Sequence, residues 1–506
     1  MEQEDVMEIF NTDVLILGGG LSAYMAAYTL LKKRRKDKIM IVSPRRGDDA
    51  SHAMRGMALS RFDGDSAPKY YQDTLQTGAY QNDPALVKAL SEESTVVFDR
   101  VRTVMTFDPP EEGSRFRPVT GDQNALWKTL ADSVESQAEV KAGCHGLRLL
   151  VREGRVQGAL CYDEKKRAFF AVSTGTVLLA TGGYGDLYKE NADAKSLPGA
   201  GSGVGLAYYA GAELADLEFA DFGGEGVTTL GGVVIDNQCR TSLPGLLACG
   251  GVTAGVHGAG LIRGNAETAA LVFGRRAAHV LTRMDFLPGA DEETMYKWVN
   301  ETVYIGQKDQ TAAYARIRNE IAHTLNISAG EIRTQEKIED GLKLIAHLQH
   351  ELNDLDLCPL GQVCEKMELD FALIAARLTL LASLEREESC GCFKRAIIRL
   401  VEKEPEEEPA REEQPEETAE PETAEGAAEE ETAEAEPSEE ETAEAEPSEA
   451  PAEEKPDGDT AVVCPPPKEP EYEEQIELIE KEVEPYRVTM KLDNMILMPR
   501  KEAWNV

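Results

Sequence analysis

The sequence predicts an α/β protein: a domain with a parallel central sheet, then a helical domain and a disordered acidic linker. Three observations carry this prediction. Short apolar runs alternate with helical patterns from residue 10 to about 285, which is typical of strands joined by crossover helices. Apolar residues then recur at helical spacing between about 290 and 400. Finally, residues 402–459 hold 27 acidic and three basic side chains in a Glu/Pro/Ala-rich stretch that cannot build a core.

These patterns divide the chain into four parts. The predicted parts are the α/β domain at 1–285, the helical domain at 286–400, the linker at 401–468 and a short ordered segment at 469–506.

The linker repeats the sequence of Glu431–Glu439 at 441–449. It could act as a solubilising spacer or as an acidic tether for a partner, and we favour the spacer because charge runs usually only solvate. Beyond the linker we expect a short helix at 474–480 and a strand that starts at Tyr486 and packs back on the core. A linker of this length easily permits that return.

Composition excludes several classes of protein. Of the net charge of −39, −24 comes from residues 402–459, so the remainder carries −15 and offers no basic face for nucleic acid. The chain opens with acidic residues rather than a signal peptide, and no apolar run reaches the ~20 residues that span a bilayer. Nine cysteines in such a long chain indicate free thiols. We expect a cytoplasmic protein.

The first strand leads into a glycine-rich turn and a helix. The run Asp13-Val-Leu-Ile-Leu continues as Gly18-Gly19-Gly20-Leu21-Ser22-Ala23, which is G-x-G-x-x-A at a strand–turn–helix junction. Such a turn lets the backbone approach a pyrophosphate, and the helix N-terminus attracts its charge. Ser43 ends the next predicted strand, where a ribose 2′-hydroxyl would be bound. The sequence therefore predicts a dinucleotide site.

Several further motifs follow in a fixed order. They are Ser51-His52 before Gly56-Met57, Asp73-Thr74 before Gly78, Ala180-Thr181-Gly182-Gly183, Glu218-Phe219, Gly250-Gly251, and His257-Gly258 before Asn265. In this order they resemble the flavoprotein subunits of fumarate reductase and succinate dehydrogenase, and the related L-aspartate oxidases. The resemblance is strong over about 10–285 and weak over about 290–400.

The resemblance implies FAD as the cofactor, with its ADP half on the first turn and its flavin near Ser51–Met57 and Gly250–Asn265. The covalent attachment of the membrane-bound relatives uses a Ser-His pair, but His52 lies about two residues too close to Gly56, so we expect noncovalent FAD. The predicted cofactor-binding residues are Gly18, Gly19, Gly20, Leu21, Ser22, Ala23, Ser43, Ser51, Gly56, Met57, Ala180, Thr181, Gly182, Gly250, Gly251 and Asn265.

The chain departs from this family at the substrate site. A capping domain of more than a hundred residues should follow Glu218–Phe222, yet the next family strand begins at Val227. The positions of the family's other substrate and motif residues, two histidines, two arginines and a glutamate, are here Gly223, Val227, Leu261, Cys390 and Gly251. A dicarboxylate needs cationic donors and its reduction needs a proton source, so we expect the flavin site without the dicarboxylate site.

Other residues leave alternatives open. His257 is the candidate catalytic residue, either as a proton donor or as a stabiliser of the flavin, but it could equally be a structural histidine bound to a backbone carbonyl. Glu225 and Arg263 could be polar groups at the flavin or merely solvated charges. The spacings of Cys390-x-Cys392 and Cys358-x5-Cys364 do not match zinc or iron–sulfur motifs, so we expect no metal site.

The leading prediction is an FAD-dependent oxidoreductase or electron-transfer flavoprotein without dicarboxylate activity. An iron–sulfur or other redox protein would be its partner, and its small-molecule substrate is not specified by the sequence. The alternatives are an active L-aspartate oxidase or fumarate reductase-type enzyme, and a non-catalytic flavin-binding subunit of a complex.

Overall fold

A computed structural model describes residues 7–34, 36–44, 53–60, 65–190, 200–224, 226–302, 305–402, 472–481, 486–493 and 496–503. Ser51, His52, Glu225 and almost all of the predicted linker lie outside the described residues. The chain separates into one unit of Met1–Ile398 with Ile476–Val506 and a second unit, Arg399–Gln475. In the second unit the described residues, 399–402 and 472–475, are extended strand.

The strands, two of which extend into the second unit, are β1 (Glu8–Asn11), β2 (Val14–Leu17), β3 (Ile39–Ser43), β4 (Gly56–Ala58), β5 (Thr106–Phe107), β6 (Phe116–Thr120), β7 (Glu139–Ala142), β8 (Cys144–Arg152), β9 (Arg155–Asp163), β10 (Ala168–Ser173), β11 (Val177–Leu179), β12 (Leu214–Ala215), β13 (Ala220–Asp221), β14 (Thr228–Thr229), β15 (Gly232–Val233), β16 (Leu246–Ala248), β17 (Ile332–Arg333), β18 (Lys394–Glu402), β19 (Tyr472–Leu478), β20 (Tyr486–Asp493) and β21 (Ile496–Ala503). The helices are α1 (Leu21–Lys33), α2 (Ala67–Thr77), α3 (Pro84–Val101), α4 (Ala125–Glu135), α5 (Ser202–Ala210), α6 (Asn265–Leu281), α7 (Glu292–Thr302), α8 (Thr311–Ser328), α9 (Gln335–Asp354) and α10 (Val363–Glu385).

A five-stranded parallel sheet in the order β16-β11-β2-β3-β7 forms the centre of the fold. Every residue of β2 and β3 is buried, as expected for strands covered on both faces. Helices α1 and α6 pack together so closely that a Cβ at Gly274 would lie 2.5 Å from the Ser22 carbonyl oxygen. The predicted α/β fold with a parallel central sheet is confirmed.

A second, four-stranded sheet runs β1-β10-β9-β8, with β10, β9 and β8 successively antiparallel. Helices α8, α9 and α10 pack on one another in the stretch predicted to be helical. The hydroxyl of Tyr162 on β9 donates a hydrogen bond to the carbonyl of Leu360 at 2.7 Å. The turn before α10 is therefore joined to the β8–β9 hairpin.

The C-terminal segment returns to the core as a strand. In β20, Met490 and Thr489 pair antiparallel with Leu214 and Ala215 of β12. The predicted helix at 474–480 is wrong, because residues 472–478 form β19. Immediately after β19, the Ile479 amide donates to the Arg395 carbonyl at 2.7 Å. Hydrogen bonds to distant backbone groups thus override the local helical pattern.

Candidate functional site

A deep cleft opens where the strands of the parallel sheet end. Its empty volume, which includes open solvent at its mouth, is about 1900 Å³. The turn after β2, the last residue of β3 and the segment after β11 all line it. These are adjacent strands, and ligands of open α/β sheets bind beyond the carboxyl ends of such strands. The topology therefore places this cleft where a nucleotide would be bound.

Two glycines of the first turn shape the cleft in different ways. Gly18 has φ +117°, and a Cβ there would lie 2.2 Å from the Ala180 carbonyl oxygen. Gly20 precedes α1 in an extended conformation, and a Cβ there would meet no protein atom within 4 Å. Between them, the Gly19 carbonyl accepts a hydrogen bond from the Trp127 indole at 3.1 Å. Gly18 thus lets two backbone segments meet, whereas Gly20 leaves space for a ligand.

Polar groups at the cleft have hydrogen-bonding capacity to spare. The first turn of α1 contains no acidic residue, so its backbone N–H groups and dipole are available to an anion. The Thr181 hydroxyl is buried and has no hydrogen-bond partner among the described residues. Ser43 is buried at the cleft wall, at the end of β3. This set of donors fits the pyrophosphate and ribose of a dinucleotide.

The structure brings together most of the predicted cofactor residues. Those that line the cleft are Gly18, Gly19, Gly20, Leu21, Ser22, Ser43, Ala180, Thr181, Gly182 and Gly251. Ala23, Gly56, Met57, Gly250 and Asn265 are not part of its lining, and all but the half-buried Gly250 are buried. Asn265 opens α6 and accepts a hydrogen bond from the Tyr70 hydroxyl at 2.6 Å, while its side-chain amide nitrogen has no partner among the described residues.

Sequence reasoning missed several parts of the lining. His145, Gly146 and Leu147 come from the start of β8, and Glu368 and its neighbours come from α10. No motif marks these residues. The β8 residues reach the cleft because β7 pairs in parallel with β3, so the chain that leaves β7 passes the same edge as Ser43.

Glu267, which was also missed, places a carboxyl group in the cleft wall. It lies in the first turn of α6. Burial raises the pKa of Glu267, and nearby Arg55 and Arg263 oppose this change. Glu267 is thus a group in the cleft whose environment favours retention of a proton.

His257 lies outside the lining of the cleft, on a mostly buried segment. Burial lowers the pKa of its imidazole to about 4. Its Nδ1 has no hydrogen-bond partner among the described residues. The imidazole is therefore neutral at physiological pH.

Replacing His257 with Asn should reduce the loss of the free energy of unfolding at acid pH. The folded-state pKa of His257 lies below its ordinary value of 6.5, so the folded protein binds fewer protons than the unfolded chain between these values. The contribution of His257 to the free energy of unfolding is therefore fully present above pH 6.5. It is lost as the pH falls toward 4, by up to about 3 kcal/mol. We expect urea titrations to show this loss in the wild type and a smaller loss in His257→Asn. Parallel profiles would contradict the prediction.

Buried ion pairs lie beside the His257 segment. Arg386 is fully buried and contacts Glu218 at 2.8 Å and Glu388 at 3.1 Å. On β20, Arg487 lies 3.2 Å from the buried carboxylate of Asp216. A Cβ at Gly255 would lie 2.4 Å from Arg487, so this strand presses against the segment that carries His257.

The two cysteines of Cys390-x-Cys392 lie at the end of the same cluster. Their thiols have raised pKa values because they are largely buried, and the pKa of Cys392 rises to about 12. Both thiols are therefore protonated and weakly nucleophilic at neutral pH.

None of the helices in the described part of the chain combines the length and the apolar character that a transmembrane segment requires.

Comparison with known families matches two parts of the chain. Residues 13–228 match the FAD binding domain, and residues 318–402 match the C-terminal domain of fumarate reductase flavoproteins. The first match covers the turn of Gly18–Gly20 and the cleft lining around Thr181. Together with the spare donors of the cleft, it identifies FAD as the cofactor.

Individual relatives agree with these matches. One of the subunits of the fumarate reductase (CoM/CoB) of Methanothermobacter marburgensis is 23% identical over an alignment of 527 residues, which covers 77% of this chain and 94% of that one. The L-aspartate oxidase of Mesorhizobium japonicum is 31% identical over 41% of this chain and 43% of its own length.

Solved structures share the fold. A single-residue variant of FrdA from the quinol fumarate reductase of Escherichia coli superimposes with a TM-score of 0.66 at 18% identity, over 77% of this chain and 92% of that chain. The Sdh1 complex of Mycobacterium smegmatis includes a chain with a TM-score of 0.67 at 18% identity, over 77% and 89% of the two chains.

Proposed function

Because the chain is an FAD-dependent oxidoreductase related to the flavoprotein subunits of fumarate reductase and succinate dehydrogenase, we propose that it is an electron-transfer flavoprotein without dicarboxylate activity. One observation carries this proposal. Strands β13 and β14 form a direct antiparallel pair, Ala220 with Thr229 and Asp221 with Thr228. Only residues 222–227 connect them, which leaves no room for a capping domain.

The comparison with the methanogen protein supports the same interpretation. The aligned length of 527 exceeds the 506 residues of this chain, although only 77% of the chain, about 390 residues, takes part. More than a hundred aligned positions of that relative therefore have no counterpart here. This is the size of a domain.

The arginines near the His257 segment also argue against dicarboxylate binding. Arg386 and Arg487 form ion pairs with buried carboxylates, and Arg333 donates hydrogen bonds to the Glu218 carbonyl and the Ser383 hydroxyl. These cations already have acceptors inside the protein. A dicarboxylate would have to break a buried ion pair to reach Arg386 or Arg487, at a cost of several kcal/mol.

The cleft residues would divide the work of binding as follows. The N-terminus of α1 at Gly20 would hold the pyrophosphate, Ser43 the ribose, and the first turn of α6, at Ala266 and Glu267, the flavin end. FAD, when bound, supplies hydride and single-electron chemistry. The carboxyl group of Glu267, whose pKa is raised by burial, would lie beside the bound cofactor, and the neutral imidazole of His257 would lie outside the cleft.

An iron–sulfur or other redox protein would then accept or supply the electrons. One relative is named as a subunit of a fumarate reductase, and one matching structure is that of an Sdh1 complex, so a partner protein is a reasonable expectation for this chain as well. A cytoplasmic location fits the eight described cysteines, all of which are free thiols.

Anaerobic reoxidation of the photoreduced flavin tests the proposal. We expect ferricyanide, a one-electron acceptor, to restore the oxidised spectrum rapidly. Fumarate should restore it at least about 100-fold more slowly, because a positioned proton donor contributes about 10²–10⁴ to such a reaction. Stopped-flow absorbance at the flavin maximum provides both rates.

Two further mixtures separate the alternatives. Neither succinate nor L-aspartate should bleach the oxidised flavin under the same conditions. Bleaching by L-aspartate would establish oxidase activity, and rapid reoxidation by fumarate would establish a reductase, so either result overturns the proposal. A flavin that ferricyanide cannot reoxidise would instead identify a structural flavin protein.

A further inference from the structure

Three side chains from distant parts of the sequence converge at one end of the FAD cleft. His145 is the second residue of β8, Glu164 follows β9, and Cys364 is the second residue of α10. One imidazole nitrogen, one carboxylate oxygen and the thiol sulfur all lie within 4.8 Å of one another. The Nε2 atom of His145 is 3.0 Å from Oε1 of Glu164.

The fold itself produces this convergence. His145 pairs with Tyr162 across the β8–β9 hairpin, so Glu164 emerges close to the histidine. The Glu164 amide also donates to the Gly143 carbonyl at 3.1 Å, which fixes the backbone of this turn. The hydrogen bond from Tyr162 to Leu360 brings the start of α10, and with it Cys364, onto the same hairpin.

A fourth side chain completes a recognisable pattern. Glu368 lies one helical turn beyond Cys364 on α10, and its Oε1 is 3.2 Å from Nδ1 of His145. Histidines that bind metals through one ring nitrogen usually donate the other N–H to a carboxylate, which fixes the tautomer and the ring orientation. Glu368 occupies the position of that carboxylate.

We propose that Nε2 of His145, the carboxylate of Glu164 and the thiolate of Cys364 bind a divalent metal ion of the zinc class, with Glu368 orienting the histidine. Nitrogen, oxygen and sulfur ligands in this combination suit Zn²⁺, whose fourth position would hold water. The two anionic ligands neutralise the charge of the ion. In a tetrahedral zinc site the ligand atoms lie about 3.3–3.8 Å apart, so the present spacing needs only small side-chain movements.

Burial is consistent with such a site. Cys364 is 6% exposed, whereas the side chain of Glu164 is 49% exposed and leaves a path for the ion. A thiol must lose its proton to bind the ion, so the site would hold Cys364 as a thiolate.

The position of the site links two parts of the fold. His145 and Glu368 also line the FAD cleft, so the ion would fasten α10 to the β8–β9 hairpin at the cleft wall. No sequence pattern indicated this, because the three ligands come from separate elements and share no spacing motif.

Zinc content of the flavin-loaded, full-length protein tests the proposal. The protein is stripped with EDTA, incubated with Zn²⁺, passed through a desalting column and analysed by inductively coupled plasma mass spectrometry. We expect one equivalent of zinc per chain in the wild type. Cys364→Ser and Glu164→Gln should each lose at least about ten-fold in zinc affinity. Glu368→Gln should lose about 10–100-fold, because His145 is then no longer held in orientation.

Two controls keep the result interpretable. Cys358→Ser changes another buried cysteine that lies outside the cluster, and it should retain full zinc content. Substitution with Co²⁺ should produce the absorption bands of a tetrahedral thiolate complex beyond the flavin spectrum, and these should vanish in Cys364→Ser. Since Glu164 is half exposed, Glu164→Gln should fold normally even if Cys364→Ser does not.

The competing explanation is a protonated histidine held between two carboxylates without any metal. It predicts background zinc in the wild type and no cobalt bands, and either result overturns the proposal. Zinc that remains bound in both Cys364→Ser and Glu164→Gln would overturn it as well, because the ion would then lie elsewhere.

Discussion

Gly20→Val is expected to produce a folded protein that purifies without FAD. The backbone of Gly20 is extended, a conformation that valine adopts readily, and its Cβ would meet no protein atom within 4 Å. The added side chain would therefore project into the cleft where the pyrophosphate must approach the backbone. We expect FAD affinity to fall at least about 100-fold, since close hydrogen bonds to the phosphates are lost. The free energy of unfolding of the apoprotein should fall by only about 1 kcal/mol, as the helix exchanges one N-cap residue for a poorer one.

Gly18 should behave differently although it lies only two residues away. A side chain there would require φ +117° and would place Cβ 2.2 Å from the Ala180 carbonyl oxygen. We expect Gly18→Ala to lower the free energy of unfolding by at least about 3 kcal/mol, because the strained backbone and the clash must separate β2 from β11. Loss of FAD in this variant would follow from loss of the fold.

The two variants are compared by the ratio of flavin to protein absorbance and by urea denaturation of the apoproteins. Gly224→Val serves as the control, because Gly224 is exposed and lies outside the lining of the cleft. It should retain FAD. A yellow Gly20→Val protein would show that the pyrophosphate does not approach this turn, and would remove the main support for the position of the ADP half.

The sequence was sufficient for those parts of the fold and site that depend on local chemistry. The turn of Gly18–Gly20 was predictable because a strand, a glycine turn and a helix follow one another directly. Ser43 was predictable because parallel strands end at one edge. The missing cap was visible as a short interval between Glu218 and Val227.

Long-range pairing limited the rest. The segment at 474–480 has a helical pattern, yet residues 472–478 form a strand because their neighbours in space offer backbone partners. His145 and Cys364 are far apart in the chain, and only the packing of α10 on the β8–β9 hairpin brings them together. The partnership of Arg386 with Glu218 was equally hidden, although Glu218 belongs to one of the recognised motifs.

Arg386→Met should be the most destabilising exchange of a charged side chain in this region. Arg386 and Glu218 are both fully buried, and the guanidinium contacts Glu218, Glu388 and the Tyr486 carbonyl. Methionine fills similar space but leaves Glu218 as an uncompensated buried charge. We expect a loss of about 3–5 kcal/mol at pH 7. Arg316→Met, which removes ion pairs of a half-exposed arginine on α8, should cost less than about 1 kcal/mol.

The pH dependence distinguishes a buried charge from a simple packing defect. Burial raises the pKa of Glu218 above its ordinary value of 4.5, and Arg386 opposes this change. Without Arg386 the folded-state pKa of Glu218 rises further. Between 4.5 and that pKa the folded protein binds a proton that the unfolded chain does not, so stability increases as the pH falls through this window. The loss of unfolding free energy in Arg386→Met, relative to the wild type, should therefore become smaller toward pH 5. A loss caused by a packing defect would be independent of pH.

The double variant Arg386→Met/Glu218→Gln removes the buried charge together with its cation. Neutralising Glu218 should restore most of the lost stability at pH 7, to within about 2 kcal/mol of the wild type. The remainder would arise from Glu388, which keeps a hydrogen bond from the Tyr486 hydroxyl at 3.1 Å but loses its cation. Urea denaturation at a fixed excess of FAD gives the free energy of unfolding of the wild type, Arg386→Met, Arg316→Met and the double variant. If the double variant is no more stable than Arg386→Met, the arginine acts mainly through the Tyr486 carbonyl, as an anchor that holds β20 against β12.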